Sequence, residues 1–298
     1  MAGPLQRPLA GLGSLTYEVT LPRFSLVPMR VGFQGEELSY SYQATTELFP
    51  AAAAFGFPTF VAAFEALDIG EVDHLVLPIE NSTTGSVLAV LDRLLPFSVT
   101  IVAEHLVLVR HALVGVAGAT VAGVKRVRSH PEALSQAEAI LTHHGWEDLP
   151  VHDTAGAVRQ VAELNDPAEA ALAPPRVAEK YGLAVLMTNV VDRDHNTTRF
   201  VAVAAGEQPI PDDADKSSVA FTTSHTPGAL ALALTELGLR GANLTRIESR
   251  PSEVAWRYRM FVDLTHPLGR SGRDSVFDPA PATMTDLNIL GTYHAAQR

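Results

Sequence analysis

The sequence predicts an α/β protein that ends in a smaller antiparallel α/β unit, and three observations predict it. Apolar, β-rich runs alternate with amphipathic stretches roughly every 20 residues between 30 and 204, the pattern of βαβ units. An acidic, proline-containing segment, 207–217, then interrupts the pattern and reads as a linker. Beyond it the order is strand, helix, strand, strand, which suits a ferredoxin-like sandwich. With 47% apolar and 18% charged residues in a chain of 298, there is material for the two or three compact lobes this implies.

Taken in order, 30–33 is a short strand closed by Gly35, and 39–48 is helical. Helical spacing over 57–67 puts Phe60, Phe64 and Leu67 on one face. The run 73–78, with Leu75, Val76 and Leu77 at its centre, has a buried-strand pattern, and 85–95 is helical again. Residues 99–109 form a β-rich run broken at Glu104 and His105. Strands at 124–127, 149–152 and 168–173 alternate with helices at 131–143, 155–164 and 176–181, the last closed by a left-handed cap at Gly182. A strand over 199–204 completes this part. Strands at 218–222, 244–249 and 258–264 and a helix at 228–237 make the C-terminal unit. From 266 to 281 the chain is rich in Gly, Pro and charge, and no regular structure is expected there. Such alternation predicts parallel sheets, which bind ligands beyond the carboxyl ends of their strands.

Composition excludes several classes. The 22 basic and 33 acidic residues leave a net charge of −11, the wrong balance for a nucleic-acid surface. A single local arginine still suffices for an anionic small substrate. The absence of cysteine excludes disulfides, thiolate chemistry and Cys-based metal sites. No run of about 20 apolar residues marks a membrane span, and the first 28 residues lack the continuous apolar stretch of a secretory signal. That segment reads as a poorly ordered extension, with Met29 as a natural start and a cytoplasmic location.

Four polar clusters sit at predicted strand ends. Glu80, Asn81, Ser82, Thr83 and Thr84 precede a helix whose free N–H groups and dipole favour an anion, although an ordinary cap explains Ser and Thr equally well. Ser129, His130 and Pro131, and then Asp153 and Thr154, also read as caps. In Asn196-Thr197-Thr198-Arg199-Phe200, hydroxyls flank a guanidinium able to hold a carboxylate in a bidentate pair, a surface ion pair being the plainer alternative. Asp192, Asp194 and Asn196 alternate as in a calcium loop, but Thr197 and Val203 stand where that loop needs Gly and Glu.

The order of these clusters carries more than any one of them. Phe33-Gln34-Gly35, the run 78–82, Ser129-His130-Pro131, Asp153-Thr154-Ala155-Gly156, Tyr181-Gly182-Leu183 and Thr198-Arg199-Phe200 closely resemble the series found in prephenate dehydratases. Residues 226–230, 241–244 and 248–251 resemble the ACT regulatory domain attached to them, here in a monofunctional form. The resemblance implies a two-lobed catalytic domain over 29–206, in the manner of periplasmic binding proteins. Lobe one would hold about 30–104 and 195–206, and lobe two about 105–194. A ferredoxin-like βαββαβ ACT domain over 218–298, with an atypical tail, would follow the linker.

The resemblance also implies the activity, decarboxylative dehydration of prephenate to phenylpyruvate in phenylalanine biosynthesis, with no cofactor or metal. Aromatisation drives the reaction, so the site must orient the substrate and protonate the departing hydroxyl. By resemblance Thr198 is the proton donor, with Arg199 and Glu80 as its catalytic companions. Asn81, Ser82, Thr83, Ser129, Thr154 and Phe200 would bind substrate. L-Phenylalanine would bind between subunits of a homodimer or homotetramer, at Pro227, Gly228, Ala229 and Leu230 of one and Asn243 and Leu244 of the other. Glu248, Ser249 and Arg250 would be coupled to that site.

Two departures stand out. Leu38-Ser39 replace a usual Gly-Ala, and Glu132 replaces a usual Gln that follows Ser-His-Pro. The rival readings are arogenate dehydratase and a catalytically silent amino-acid sensor.

Overall fold

Apolar runs long enough to cross a sheet, flanked by glycine and proline, give the strands of this chain. The computed structural model describes residues 28–151, 154–193 and 195–297, so the expected N-terminal extension lies, through residue 27, outside them. In the first lobe the elements are β1 (Arg30–Gln34), α1 (Tyr40–Leu48), β2 (Ala53–Phe57), α2 (Phe60–Asp68), β3 (His74–Asn81), β4 (Gly85–Ser86), α3 (Leu88–Leu94) and β5 (Val99–Leu108). The second lobe contains β6 (Ala112–Gly115), β7 (Arg126–Ser129), α4 (Pro131–Ser135), α5 (Glu138–His144), β8 (Glu147–Pro150), α6 (Thr154–Leu164), β9 (Glu169–Ala173), α7 (Pro175–Lys180) and β10 (Ala184–Met187). The chain then returns to the first lobe as β11 (Thr197–Ala205).

The first sheet has the order β2-β1-β3-β11-β5, with β4 on β3, and the second β10-β6-β9-β7-β8. Neither is wholly parallel, contrary to expectation. β11 runs antiparallel to both β3 and β5, and β6 antiparallel to β9 and β10. The sequence pattern gives burial but not direction, and a returning strand reverses the direction without changing the pattern. β5 is also continuous through Glu104 and His105. Glu104 is buried because Arg199 and Lys216 neutralise it, and His105 Nε2 lies 2.6 Å from Glu47 Oε2.

The expected helix over 131–143 is two helices, α4 and α5, parted at Gln136 and Ala137. Asp192 accounts for the break: its carboxylate accepts from the backbone N–H of Ala139 (2.9 Å) and Ile140 (3.3 Å), capping α5. A residue that mimicked a calcium ligand is therefore a helix cap.

The C-terminal unit contains β12 (Lys216–Thr223), α8 (Ala229–Leu239), β13 (Asn243–Pro251), β14 (Tyr258–Thr265), α9 (Gly269–Phe277) and β15 (Met284–Tyr293). Its order β13-β14-β12-β15, all antiparallel, is the ferredoxin-like arrangement. The expectation of no regular structure over 266–281 is overturned by α9. Its glycines are there for proximity, since a Cβ on Gly272 would lie 1.6 Å from the Pro267 carbonyl oxygen. Lys216 and Ser217, expected in the linker, belong to β12.

Side-chain alternation sets which face meets what. Val219, Phe221, Val262 and Leu264 pack under the two C-terminal helices with Leu237 and Phe277. Ala220, Phe261, Leu290 and Tyr293 instead join Leu75, Leu77, Ile79, Ile101, Val201 and Val203 in the core of the first lobe. Gly291 permits that closeness, because a Cβ there would fall 2.1 Å from the Ile101 carbonyl oxygen. The C-terminal sheet therefore lies directly against the sheet that carries Thr198.

Candidate active site

The lobes meet at a chain of amide and hydroxyl groups. Asn81 Nδ2 donates to Thr198 Oγ1 (3.0 Å) and to Asn196 Oδ1 (2.7 Å). Asn196 Nδ2 donates in turn to Gln136 Oε1 (2.7 Å), which also lies 3.3 Å from His111 Nε2. Gln136 Nε2 donates to Glu132 Oε1 (3.2 Å). The acceptor at Gln136 selects the Nε2–H tautomer of His111. Burial disfavours the imidazolium and, against a small opposing effect from Gln136, lowers the His111 pKa to about 4. Tyr40 meets His111 edge to face and donates to the Arg110 carbonyl (2.7 Å); burial pushes its phenol pKa up.

A β-bulge assembles this group. β11 pairs Arg199 with Glu80 and then Phe200 with Pro78, so Ile79 is left without a partner. In regular register Asn81 would face the same side as Leu75, Leu77 and Ile79. The extra residue reverses the alternation and turns Asn81 toward Thr198. A tight turn follows in place of the expected helix N-terminus. Asn81 Oδ1 accepts from the N–H groups of Thr83 (2.8 Å) and Thr84 (3.2 Å) and from the Thr83 hydroxyl (2.6 Å), and Gly85 takes the left-handed conformation. Ser82 Oγ donates to the His195 carbonyl (2.7 Å) and accepts from Thr197 N–H (2.9 Å), which ties this turn to the start of β11.

The geometry has a chemical consequence. Thr198 Oγ1 accepts from Asn81, and no acceptor among the described residues takes its own proton. That hydroxyl is thus oriented with a proton to give, as protonation of a leaving group requires.

Arg199 and Glu80 do not join it. They lie on the opposite face of the sheet, toward the C-terminal unit. Arg199 is 7% exposed and donates to Glu80 (Nε, 3.0 Å), Glu104 (Nη1, 3.0 Å) and Asp263 (Nη2, 2.5 Å). With every nitrogen of the guanidinium engaged, it has no bidentate edge for a substrate carboxylate. Burial alone would lower its pKa, but Asp263, Glu104 and Glu80 together outweigh this and raise it.

Other expected residues are placed apart as well. Ser129 is fully buried and donates to the Leu172 carbonyl (2.6 Å), fastening β7 to β9. Phe200 is a core residue beside Val76 and Ala202. Thr154 begins α6 and makes no hydrogen bond to the group around Thr198, while Asp153 lies outside the described residues. His130 caps α4 through Nδ1. The residues that sequence reasoning missed are Gln136, Asn196, His111 and Tyr40. Of these, Asn196 stood inside the motif that ends in Phe200 but was given no role, and Gln136, a long-reaching amide one turn after Ser129-His130-Pro131, also had a signal.

In the C-terminal unit, Gly228 is left-handed at the start of α8, next to Ala229 and Leu230. Asn243 is exposed at the start of β13, and Leu244 packs on the local core. Glu248 and Arg250 reach the first lobe: Glu248 accepts from Ser86 Oγ (2.7 Å), and Arg250 grips Asp92 by two 2.8 Å bonds. Ser249 points outward.

A model of the prephenate dehydratase family matches residues 31–208, a span that holds every group of this site. The chain belongs to the prephenate dehydratase family. Among similar proteins, arogenate dehydratase 2 of Petunia hybrida is 40% identical over 97% of this chain and 76% of its own length. A chloroplastic arogenate dehydratase/prephenate dehydratase 2 of Arabidopsis thaliana is 39% identical over 84% of this chain; the match spans 63% of that relative's length. A solved prephenate dehydratase from Arthrobacter aurescens, in complex with L-Phe, superposes with a TM-score of 0.80 at 29% identity, covering 90% of each chain. For a prephenate dehydratase family member, the polar group at the lobe junction is the natural place to look for chemistry. Among the described residues, no helix is long and apolar enough to cross a membrane.

Proposed function

We propose that the chain catalyses the decarboxylative dehydration of prephenate to phenylpyruvate, with Thr198 as proton donor. The observation that carries this is the Thr198 hydroxyl, held as an acceptor by Asn81 and left with its proton free. In the reaction the bond between the ring and its carboxylate breaks and releases carbon dioxide. The electron pair moves into the ring, the C–O bond at the opposite carbon breaks, and the departing oxygen takes the Thr198 proton to leave as water. Thr198 regains a proton from solvent, so the net reaction consumes one. Because a free threonine hydroxyl is a weak acid, its transfer is concerted with C–O cleavage.

Asn81, Asn196 and Gln136 position the donor, and Thr83 and Ser82 shape the turn beside it. We read the C-terminal βαββαβ unit as an ACT domain through which L-phenylalanine acts in a homodimer or homotetramer. The L-Phe complex of the Arthrobacter relative supports that reading. A second substrate, arogenate, is favoured by the Petunia relative, which is named for it alone; the Arabidopsis relative is named for both.

The experiment is direct. Purified protein is incubated with prephenate or arogenate at neutral pH, with and without phenylalanine, and the aromatic product is followed. Phenylpyruvate formed from prephenate, and suppressed by phenylalanine, is the expected result. Phenylalanine formed from arogenate alone would reassign the substrate. Product from neither, above the spontaneous rate, would overturn the dehydratase reading.

A further inference from the structure

We infer that Asp263, in the C-terminal unit, is a positioning residue for catalysis: it anchors Arg199 and thereby fixes the backbone that presents Thr198. The inference rests on the role proposed for Thr198 above.

Arg199 follows Thr198 on β11, and its side chain leaves the opposite face of the strand. There its planar fork is held by three carboxylates from three different strands, Glu80 on β3, Glu104 on β5 and Asp263 on β14. A guanidinium gripped at all three nitrogens has one orientation. That orientation constrains the backbone of residue 199, at the edge of the bulge that turns Asn81 toward Thr198. Glu80 and Glu104 belong to the same sheet as Arg199 and move with it. Asp263 is the carboxylate of the three that comes from the C-terminal unit.

Asp263 is itself rigid. It is 2% exposed, and its Oδ1 accepts from Ser218 Oγ (2.6 Å), which is paired to the Tyr293 hydroxyl (2.7 Å). Charges around it balance, with Arg199, Lys216 and Arg246 facing Glu80, Glu104 and Asp263. Removing the Asp263 carboxylate leaves three cations facing two carboxylates and frees Arg199 Nη2, so the guanidinium turns toward Glu80 and Glu104.

A simple docking role is distinguishable because a second ion pair joins the same two parts of the chain elsewhere. Arg250 on β13 meets Asp92 on α3 near the surface, and neither is a hydrogen-bond partner of Arg199. The test compares Asp263→Asn, Ser218→Ala and Asp92→Asn in the full chain, with kcat and KM on whichever dienyl acid the wild type consumes. For Asp263→Asn the expected result is a kcat lowered about tenfold or more with KM within about threefold, since small misplacements near a reacting group have effects of this size. Asp92→Asn is expected to keep both constants. Ser218→Ala, which loosens Asp263 and keeps its charge, is expected to lower kcat about threefold and stands in should Asp263→Asn not fold.

In parallel, the Thr198 methyl resonance is followed, assigned by its loss in Thr198→Val. It is expected to shift in Asp263→Asn or Ser218→Ala and to stay in Asp92→Asn. A folded Asp263→Asn with wild-type kcat, or an equal loss in Asp92→Asn, overturns the proposal. If the wild type consumes neither dienyl acid, the dehydratase reading fails by itself. The methyl shift then decides: a shift specific to Asp263 sustains the coupling, and an unmoved resonance ends it.

Discussion

Thr198 Oγ1 and Arg199 Nη2 belong to adjacent residues yet have their partners, Asn81 and Asp263, on opposite faces of one sheet. Their variants should therefore fail in different ways. Thr198→Val keeps the shape and removes the hydroxyl; kcat is expected to fall about 10²- to 10⁴-fold with KM and melting temperature nearly unchanged. Arg199→Leu takes the shared cation from Glu80 and from the buried Glu104 and Asp263, leaving Lys216 and Arg246 against three carboxylates, and should lower the unfolding free energy by about 3–5 kcal/mol. Steady-state kinetics and urea unfolding on the two proteins separate the roles, and wild-type turnover by Thr198→Val would remove its hydroxyl from the chemistry.

Gln136 is the second lobe's member of the hydrogen-bonded chain that leads to Asn81 and Thr198. Its Oε1 serves both Asn196 and His111. Replacement by Leu leaves two buried donors without an acceptor, a loss of about 1–3 kcal/mol for each. Asn196 is then free to turn from Asn81, so kcat should drop at least about tenfold. Gln136→Glu is the informative control, because it keeps the acceptor and loses the bond to Glu132. Rates near wild type in Gln136→Glu, with loss in Gln136→Leu, would assign the effect to the acceptor alone.

The lobes are also held at Leu38. Its backbone is left-handed (φ 68°), and its side chain packs on the second-lobe cluster of Ala157, Val158 and Val177. Arg176 of that lobe donates to the Leu38 carbonyl (3.1 Å), the Ser39 carbonyl (2.8 Å) and Gln43 Oε1 (2.6 Å). Leu38→Gly relieves about 1–2 kcal/mol of left-handed strain. It forfeits a similar amount, about 1–2 kcal/mol, of apolar burial. Unfolding free energy should change little, while the lobes close less firmly and KM rises. An unchanged KM would show that the Arg176 clamp suffices without the side chain.

What the sequence made legible follows from the kinds of signal it carries. Long apolar runs marked β3 and β11, and the polar spacer over 207–217 marked the change of fold, because burial and loop chemistry are local. The pairing of Thr198 with Asn81 was beyond it. Reading Thr198 and Arg199 as partners assumed that neighbours share a face, whereas a strand alternates. The bulge at Ile79 that turns Asn81 inward depends on a partner strand more than 100 residues away. The edge strands β2 and β10 were missed because their mixed exposure gives no clean alternation.

Gly272 tests the reading of α9. A methyl group there would have to displace the Pro267 carbonyl, since the 1.6 Å separation leaves no room. On helix propensity alone, Gly→Ala in a helix is stabilising by about 1 kcal/mol. The contact predicts the reverse sign, a loss of roughly 1–3 kcal/mol from overpacking. Thermal unfolding of Gly272→Ala decides between them, and a raised melting temperature would mean that α9 sits farther from Pro267.

His111 gives the fold a dependence on acid that can be isolated. Its native pKa is lowered to about 4 from an ordinary 6.5, mainly by burial. Between those values the unfolded chain binds a proton that the native chain refuses, so stability falls as pH drops through this window and levels off below its lower end. The gap corresponds to about 3 kcal/mol at full effect. Above the window both states are neutral at this residue and the contribution is fully present. Carboxylates titrate nearby in pH, so the measurement is a difference: unfolding free energies of wild type and His111→Gln, from about pH 7 down to about pH 4. Glutamine cannot be protonated there, and the wild type should lose about 2–3 kcal/mol relative to it across the range. A difference that does not change with pH would mean that the native site accepts the proton, and that His111 is not held neutral between Tyr40 and Gln136.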